Sequence, residues 1–333
     1  MIRHAVLQLK PEKGQVKKNL EAIFKALTEL RPRKPDVAVA PEAFLSGYFL
    51  QAGVRELALT KDDLSVELEK MYRSLAWDGL LDLVVGFYER EGGTYYNSAA
   101  YFELGGRGLL NIHRKVFLPT YGVFDEERYL SQGSEVRAFQ TRFGKAAMLI
   151  CEDFWHSVTG TIAALDGAQI LYVPSASPAR GFAGGEPSNV ARWKSLAQAV
   201  AAEHGVYVVL SSLVGLEAGK GLAGGSVIVG PEGNVLGEAP VFEEAVLLGE
   251  IDLERIPPVR YDNPLLADLE TSLPLLLPDL ERVLGQPIAA KPAQKNSKSK
   301  LEKNPARPKT KGPKPKAKPP ARKPKRKAVK RGR

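Results

Sequence analysis

The feature that most limits how this chain can fold is a series of short apolar runs spaced between amphipathic stretches. DVAVAP (36–41), LDLVVGFYE (81–89), AAMLIC (146–151), AQILYVPS (168–175) and VYVVLSSLV (206–214) are strand-sized and bounded by turn or loop residues. Ile2–Leu9, YYNSAAYFE (95–103) and GLLNIHRKV (108–116) extend the set, with Gly92-Gly93 and Gly105-Gly106 as turns. EVRAFQT and AAMLIC read as a hairpin around Arg142–Lys145, and GGSVIVGPEGNVLGE and AVLLGEIDL add later strands. Apolar strands need helices over them, and these are present. Val16, Leu20, Ile23, Leu27 and Leu30 fall on one helical face that ends before Pro32. Residues 62–76 and a stretch near 155–166 also read as helical. In a further helix Val190, Trp193, Ala197 and Val200 share a face, with Ser188 as the expected N-cap and Gly205 as the stop. PPVRYDNPLLADLETSLP (257–274) reads as an irregular connection before a short helix ending near Leu284. Helices interleaved with hairpins, without a repeat period or interior linker, predict an α/β fold with one domain over residues 1–290.

Charge separates this body from the end of the chain. Residues 291–333 hold nineteen Lys or Arg, eight Pro, no aromatic residue and one acid, Glu302. The whole chain has 47 basic and 38 acidic groups, so residues 1–290 keep 28 and 37 and are net acidic. A segment with so little apolar surface cannot offset its ordering entropy, which predicts a disordered tail. It reads either as an arm for nucleic acid or another polyanion, or as a solvated tail. Without aromatic residues to stack on bases, any such binding is expected to be non-specific. No apolar run is long enough for a spanning helix, and MIRHAVLQLK lacks the apolar core of a signal peptide. The lone cysteine cannot form an internal disulfide. These features predict a cytoplasmic protein with no membrane partner.

Three chemically useful residues stand where an apolar run gives way to a loop: Glu42 after DVAVAP, Lys115 after LLNIH, and Cys151 after AAMLI. Strand ends are favoured functional positions because the sheet fixes the side chain while the loop leaves room for substrate. Converging there, Glu42 would take the thiol proton of Cys151 and Lys115 would supply positive charge. Glu152 and Asp153 directly follow the thiol, and as negative neighbours they oppose its ionisation. The arrangement works if they point away while the N–H of Glu152 faces the site as an oxyanion donor. Taken singly, each residue has a plainer reading, a buried thiol or a solvated charge. The four histidines, His4, His113, His156 and His204, are scattered, so neither metal nor cofactor is expected. His113 and His156 flank the motif residues and read as structural.

PEAFLSGY, HRKVFLPTYGVFDEERYLSQG and AMLICEDFW together resemble the three signature blocks of the nitrilase superfamily, the carbon–nitrogen hydrolases. The resemblance runs from Ile2 to about Asp252. It implies a four-layer αββα sandwich, usually paired into a homodimer or a higher homo-oligomer. It also implies Glu42 as base, Lys115 as stabiliser of the tetrahedral intermediate and Cys151 as nucleophile. Glu126, seven residues before Gly133, matches a second glutamate that positions substrate and lysine. The finer wording of the blocks is most similar to the glutamine-hydrolysing domain of glutamine-dependent NAD synthetases. Residues after 290 hold no SGGxDS-type loop, so the expectation is a free-standing amidase or one lending ammonia to a separate synthetase. Nitrilases usually carry Trp after the catalytic Cys; Glu152 at that position favours an amide substrate. Tyr121, Glu152 and Ser177 are the expected contacts to a small amide such as glutamine or another ω-amide, and the Gly-rich loop 178–189 is the expected lid. N-carbamoyl compounds and nitriles remain alternatives, as does a polyanion-binding protein that acts through residues 291–333.

Overall fold

The computed structural model describes residues 1–182 and 187–285. The basic segment 291–333 lies outside those residues, as do positions 183–186 within the expected lid. The chain divides into two units, Met1–Leu280 and Glu281–Arg333. Of the second, the described residues are 281–285. The architecture below is that of the first unit.

Strands are numbered β1 to β14 along the chain. One six-stranded sheet contains β1 (Ile2–Gln8), β2 (Val37–Val39), β3 (Leu81–Glu91), β4 (Thr94–Leu104), β5 (Gly108–Arg114) and the late strand β14 (Ala245–Ile251). Its order is β14-β1-β2-β3-β4-β5. The other contains β6 (Ala138–Gln140), β7 (Lys145–Met148), β8 (Ile170–Ser175), β9 (Tyr207–Ser212), β12 (Val227–Val229) and β13 (Val235–Glu238), in the order β13-β12-β9-β8-β7-β6. Both follow one plan. Three parallel strands, β1-β2-β3 or β7-β8-β9, form the centre, and antiparallel strands finish the edges. A two-stranded ribbon, β10 (Val214–Glu217) and β11 (Lys220–Ala223), stands apart from both sheets.

The pleat explains why the central runs are apolar throughout. Val37 and Val39 pack into the core that includes Ala147, Leu171 and Val208 of the facing sheet. Ala38 and Ala40 turn the other way, into a core shared with Leu20, Ile23 and Leu27 of the Val16–Leu30 helix and Leu64 and Leu68 of the Lys61–Leu75 helix. On the far side the Ser157–Leu165 and Ser188–His204 helices cover the second sheet through Ala163, Trp193, Ala197 and Val200. The layers are helix, sheet, sheet, helix, an αββα sandwich.

Helix ends follow local chemistry. Thr60 and Asp63 form a reciprocal capping box, and Gly205 ends its helix in the left-handed region at φ 57°. Two expectations are corrected. Ser188 is the first helical residue rather than the cap: Pro187 holds that position, and no side chain caps this end. The stretch 257–274 is helical, as Ile256–Asp262 and then Leu265–Leu284. Prolines 257 and 258 fall in a first turn, where the missing N–H costs nothing. Pro274 and Pro278 lie inside the second helix. Leu266, Leu269 and Leu273 give it a half-buried face that outweighs those breaks. Among the described residues, no helix is long and apolar enough to cross a membrane.

Between the sheets, away from the strand ends that carry Glu42 and Cys151, runs a buried polar chain. His4 Nδ1–H donates to the Ile2 carbonyl at 3.1 Å, and its Nε2 accepts from Tyr172 Oη at 3.0 Å. Arg142 Nε donates to Asp82 Oδ1 at 2.9 Å, and Tyr101 Oη donates to Asp82 Oδ2. Burial pushes the His4 imidazole down to about 4, against weaker upward pulls from the Ile2 carbonyl and Asp36. A base depressed in the folded state contributes stability above its ordinary value of 6.5 and loses it as pH falls toward 4. The expected loss across that window is on the order of 3 kcal/mol. Chemical denaturation of wild type and His4→Gln between pH 7 and 4 checks this: the variant should show the shallower decline.

Candidate active site

Glu42, Lys115, Glu126 and Cys151 meet in one buried cluster. β2 ends at Val39, and the turn that follows lays Glu42 against β3 at Gly86. A side chain at Gly86 would place Cβ within 2.4 Å of the Pro41 carbonyl and 2.7 Å of Glu42 Cα. Only a glycine in β3 allows that approach. Lys115 follows β5 directly, its N–H donating to Asn97 O at 2.8 Å and its carbonyl accepting from Gly133 N–H at 2.7 Å. Gly133 lies so close to Arg114 that a Cβ would stand 2.0 Å from the Arg114 carbonyl. The Glu126-to-Gly133 spacing noted in the sequence is thus the returning part of the loop that leaves Lys115, carries Glu126 and comes back against the same strand.

The fully buried Lys115 ammonium donates to Glu42 Oε1 and Glu126 Oε1, each at 2.7 Å. Glu42 Oε1 also accepts from Asn97 Nδ2 at 2.8 Å, and Glu126 Oε1 accepts from Tyr48 Oη. Glu42 Oε2 and Glu126 Oε2 are buried without a partner. Burial opposes the charge on Lys115, but Glu126 and Glu42 outweigh it and hold the ammonium well above its ordinary value. Burial pushes Glu126 up to about 7, with Lys115 pulling down and Glu42 adding to the rise.

Cys151 follows β7 in a backbone conformation that L-residues rarely adopt, φ 46° and ψ −100°. Its N–H donates to Pro174 O at 2.9 Å, and the short Glu152–Trp155 helix starts immediately after it. A strained turn of this kind lifts a side chain clear of its strand. Burial, then the charge of Glu42, push the thiol well above its usual range. Lys115, the Ser175 hydroxyl 3.5 Å from Sγ, and the Ala176 N–H pull it down.

The two acids after the thiol have separate fates. Asp153 is fully buried, and its carboxylate is used up by neighbours. Oδ1 accepts the N–H groups of Val116 and Phe117 at 2.9 Å, and Oδ2 accepts His113 Nε2 at 2.8 Å and Ile150 N–H at 3.1 Å. The Lys115 loop is thereby fastened to the Cys151 turn. Glu152 lies nearer solvent and accepts Tyr121 Oη at 3.0 Å. Tyr121 is half exposed and packs edge-on against Phe124, while the Arg180 guanidinium lies 5.6 Å from the Phe124 ring. Ser177 is buried, with Oγ accepting Asn189 Nδ2 at 2.9 Å; Ser175, which sequence reasoning passed over, holds the position beside the thiol. His113 is absorbed by Asp153, and His156 stacks on Phe117 at 3.8 Å. The described base of the 178–189 loop is pinned by Ala179 N–H to Gly221 O and Arg180 N–H to Asn189 Oδ1, both 2.8 Å.

A carboxylate–ammonium–thiol cluster at the strand ends of an αββα sandwich is the arrangement expected of a hydrolase. Comparison with known proteins agrees. The pattern of the carbon–nitrogen hydrolase family matches residues 3–261, and the chain belongs to that family. It is 30% identical over 265 residues to the glutamine-dependent NAD(+) synthetase of Thermotoga maritima, covering 79% of this chain and 44% of that protein. It therefore spans less than half the length of this relative. It is 27% identical to the nitrilase of Pyrococcus abyssi, covering 79% of this chain and 94% of the relative. Among solved structures, a carbon-nitrogen hydrolase from Helicobacter pylori G27 superposes with a TM-score of 0.72 at 27% identity, covering 83% of this chain and 98% of the other. The protein is a carbon–nitrogen hydrolase of the nitrilase superfamily.

Proposed function

We propose that the chain hydrolyses the terminal amide of a small linear amino-acid amide, glutamine or another ω-amide, through a thioester on Cys151. The thiol gives its proton to Glu42 as Sγ attacks the amide carbon. The oxygen that gains charge is held by the Lys115 ammonium and the Glu152 N–H. Glu42 returns the proton to the departing nitrogen, and ammonia leaves. Glu42 then takes a proton from water as it attacks the thioester, giving the carboxylic acid and the free thiol.

The observation that carries the substrate class is the pair of opposite charges around Tyr121. The Glu152 carboxylate is bonded to Tyr121, and Arg180 lies beside the adjoining Phe124. Together they complement an α-ammonium and an α-carboxylate, which neither a simple nitrile nor an unsubstituted amide carries. The test is ammonia release from glutamine, asparagine, other ω-amides, N-carbamoyl amino acids and simple nitriles, with Cys151→Ala alongside. Turnover of an amino-acid ω-amide, lost in Cys151→Ala, is expected; turnover confined to nitriles or N-carbamoyl compounds would overturn the substrate class. Arg180→Ala should raise KM for that amide about 10-fold with kcat little changed, and leave propionamide unaffected.

A second reading takes the chain as the ammonia-supplying partner of a separate synthetase. The similarity to NAD synthetases that extend well beyond the matched region favours it. Co-purification with a synthetase, and ammonia release raised by that protein, would separate it from a free-standing amidase.

A further inference from the structure

Glu217 lies far from the cysteine in sequence and outside the three signature blocks apart from its contact with the first, yet it is buried against the turn that carries Tyr48. It ends β10, and the two-residue turn Ala218-Gly219 reverses the chain into β11 with both residues at positive φ, 49° and 75°. That tight turn fixes the register of the ribbon and hence the direction of Glu217. Its carboxylate accepts the N–H of Tyr48 at 3.0 Å through Oε2 and the N–H of Phe49 through Oε1. Gly47, at φ 82°, makes room: a Cβ there would stand 3.1 Å from the carboxylate. On its other side the same peptide is held by Tyr88, whose Oη donates to Tyr48 O at 2.6 Å. Tyr48 so held gives its own hydroxyl to Glu126 Oε1, the oxygen that also receives Lys115.

We infer that Glu217 is a positioning residue for the hydrolase reaction: through the Tyr48 peptide it sets the phenol that holds Glu126, and through Glu126 the ammonium that faces the substrate. The inference rests on the role of Lys115 proposed above. The ribbon that carries Glu217 is also tied to the substrate-side loop, since β11 bonds Ala179 through Gly221 O and Ser177 O through the Ala223 N–H. One element therefore bears on both the Tyr48 turn and residues 177–179. A buried carboxylate accepting two adjacent N–H groups holds a turn more rigidly than packing alone, because those donors have no water to fall back on.

The test reads Glu126 directly, so it stands whether or not the substrate has been identified. The carboxyl carbon of Glu126, assigned by comparison with Glu126→Gln, is titrated by NMR in protein labelled with carbon-13 glutamate. The groups facing Glu126 are Lys115, Glu42, Tyr48 and Tyr88. Tyr48→Phe alters the Tyr48 bond alone, whereas Glu217→Gln also removes a negative charge, which by itself would move the midpoint down, so a rise in that variant reports the Tyr48 bond. Tyr48→Phe should raise the Glu126 midpoint by about 1 pH unit, through loss of one hydrogen bond to the charged form. Glu217→Gln should move it in the same direction, and the double variant should move it no further than Tyr48→Phe alone. Tyr88→Phe, which loosens the same peptide from its other side, supplies the answer if Glu217→Gln does not fold. On an amide that the wild type turns over, Glu217→Gln should lower kcat about 10-fold or more with KM nearly unchanged. An unmoved Glu126 midpoint in Glu217→Gln and Tyr88→Phe, or shifts that simply add in the double variant, would overturn the inference. Cys151→Ala with undiminished ammonia release would overturn the thiol reading and leave the Glu126 result standing.

Discussion

Glu42→Gln is expected to lower ammonia release by about 10²–10⁴-fold while making the thiol of Cys151 easier to ionise. The two effects run in opposite directions, which makes the result diagnostic. In the native site the thiol is held protonated first by burial and next by the Glu42 charge. Lys115, Ser175 and the Ala176 N–H work against this without reversing it. A thiol pushed upward in this way calls for a base, so in the proposed mechanism its proton moves to Glu42 as the bond to carbon forms. Glutamine at position 42 keeps an oxygen for Asn97 and Lys115, so the turn that places it is preserved, but it cannot accept a proton. Turnover collapses. Removing the negative charge also removes the second-largest cause of the raised thiol, so alkylation by iodoacetamide should set in at lower pH than in wild type. Loss of turnover together with a later onset of alkylation would mean that Glu42 supports the thiolate rather than serving as base, and the proposed step would be wrong.

The parts of this picture that could be read from sequence are those carried by continuous stretches. Each central strand is one apolar run, and the ends of β2, β5 and β7 are where those runs stop. The placement of Glu42, Lys115 and Cys151 at strand ends is therefore legible in the sequence. What was not legible depends on which strands become neighbours. Ser175 reaches the thiol because β8 pairs with β7, a neighbour that no local pattern announces, while Ser177, the expected substrate contact, accepts Asn189 through its hydroxyl. Glu217 meets the Tyr48 peptide across 169 positions, through a ribbon whose position no local pattern encodes. The helical turns over 257–274 are hidden for a different reason, although the helix end near Leu284 is legible. Five prolines between 257 and 278 outweighed a leucine spacing of three and four that the fold does use. Glycine carried more information than its turn-forming role suggests: Gly86 and Gly133 sit where a backbone passes within contact distance of the strand that positions Glu42 or Lys115.

Asp153 should prove the most costly acid to remove from the Cys151 turn, and Glu152, beside it, among the least. Asp153→Ala leaves the N–H groups of Ile150, Val116 and Phe117 and the imidazole of His113 without the fully buried carboxylate that accepts them. Stripping one charged acceptor from a buried set of this kind costs on the order of 3–5 kcal/mol. For a domain of this size that lowers Tm by about 10 °C. Asp153→Asn should fare little better, since its amide would turn a donor toward donors. The functional loss follows from what the carboxylate joins: its oxygens hold the residues after Lys115 and the residue before Cys151, so the distance between ammonium and thiol depends on it. Turnover should fall about 100-fold even where the variant is folded, at the scale expected when reacting groups drift by about 1 Å. Glu152→Gln, whose carboxylate meets Tyr121 near solvent, should melt within about 1 kcal/mol of wild type and show its effect in KM for an amino-acid amide. Thermal melts and steady-state kinetics on the two variants side by side decide the matter. Equal stability loss at both positions would mean that the fold does not rely on the Asp153 link, and the account of how Lys115 is brought to the thiol would have to be replaced.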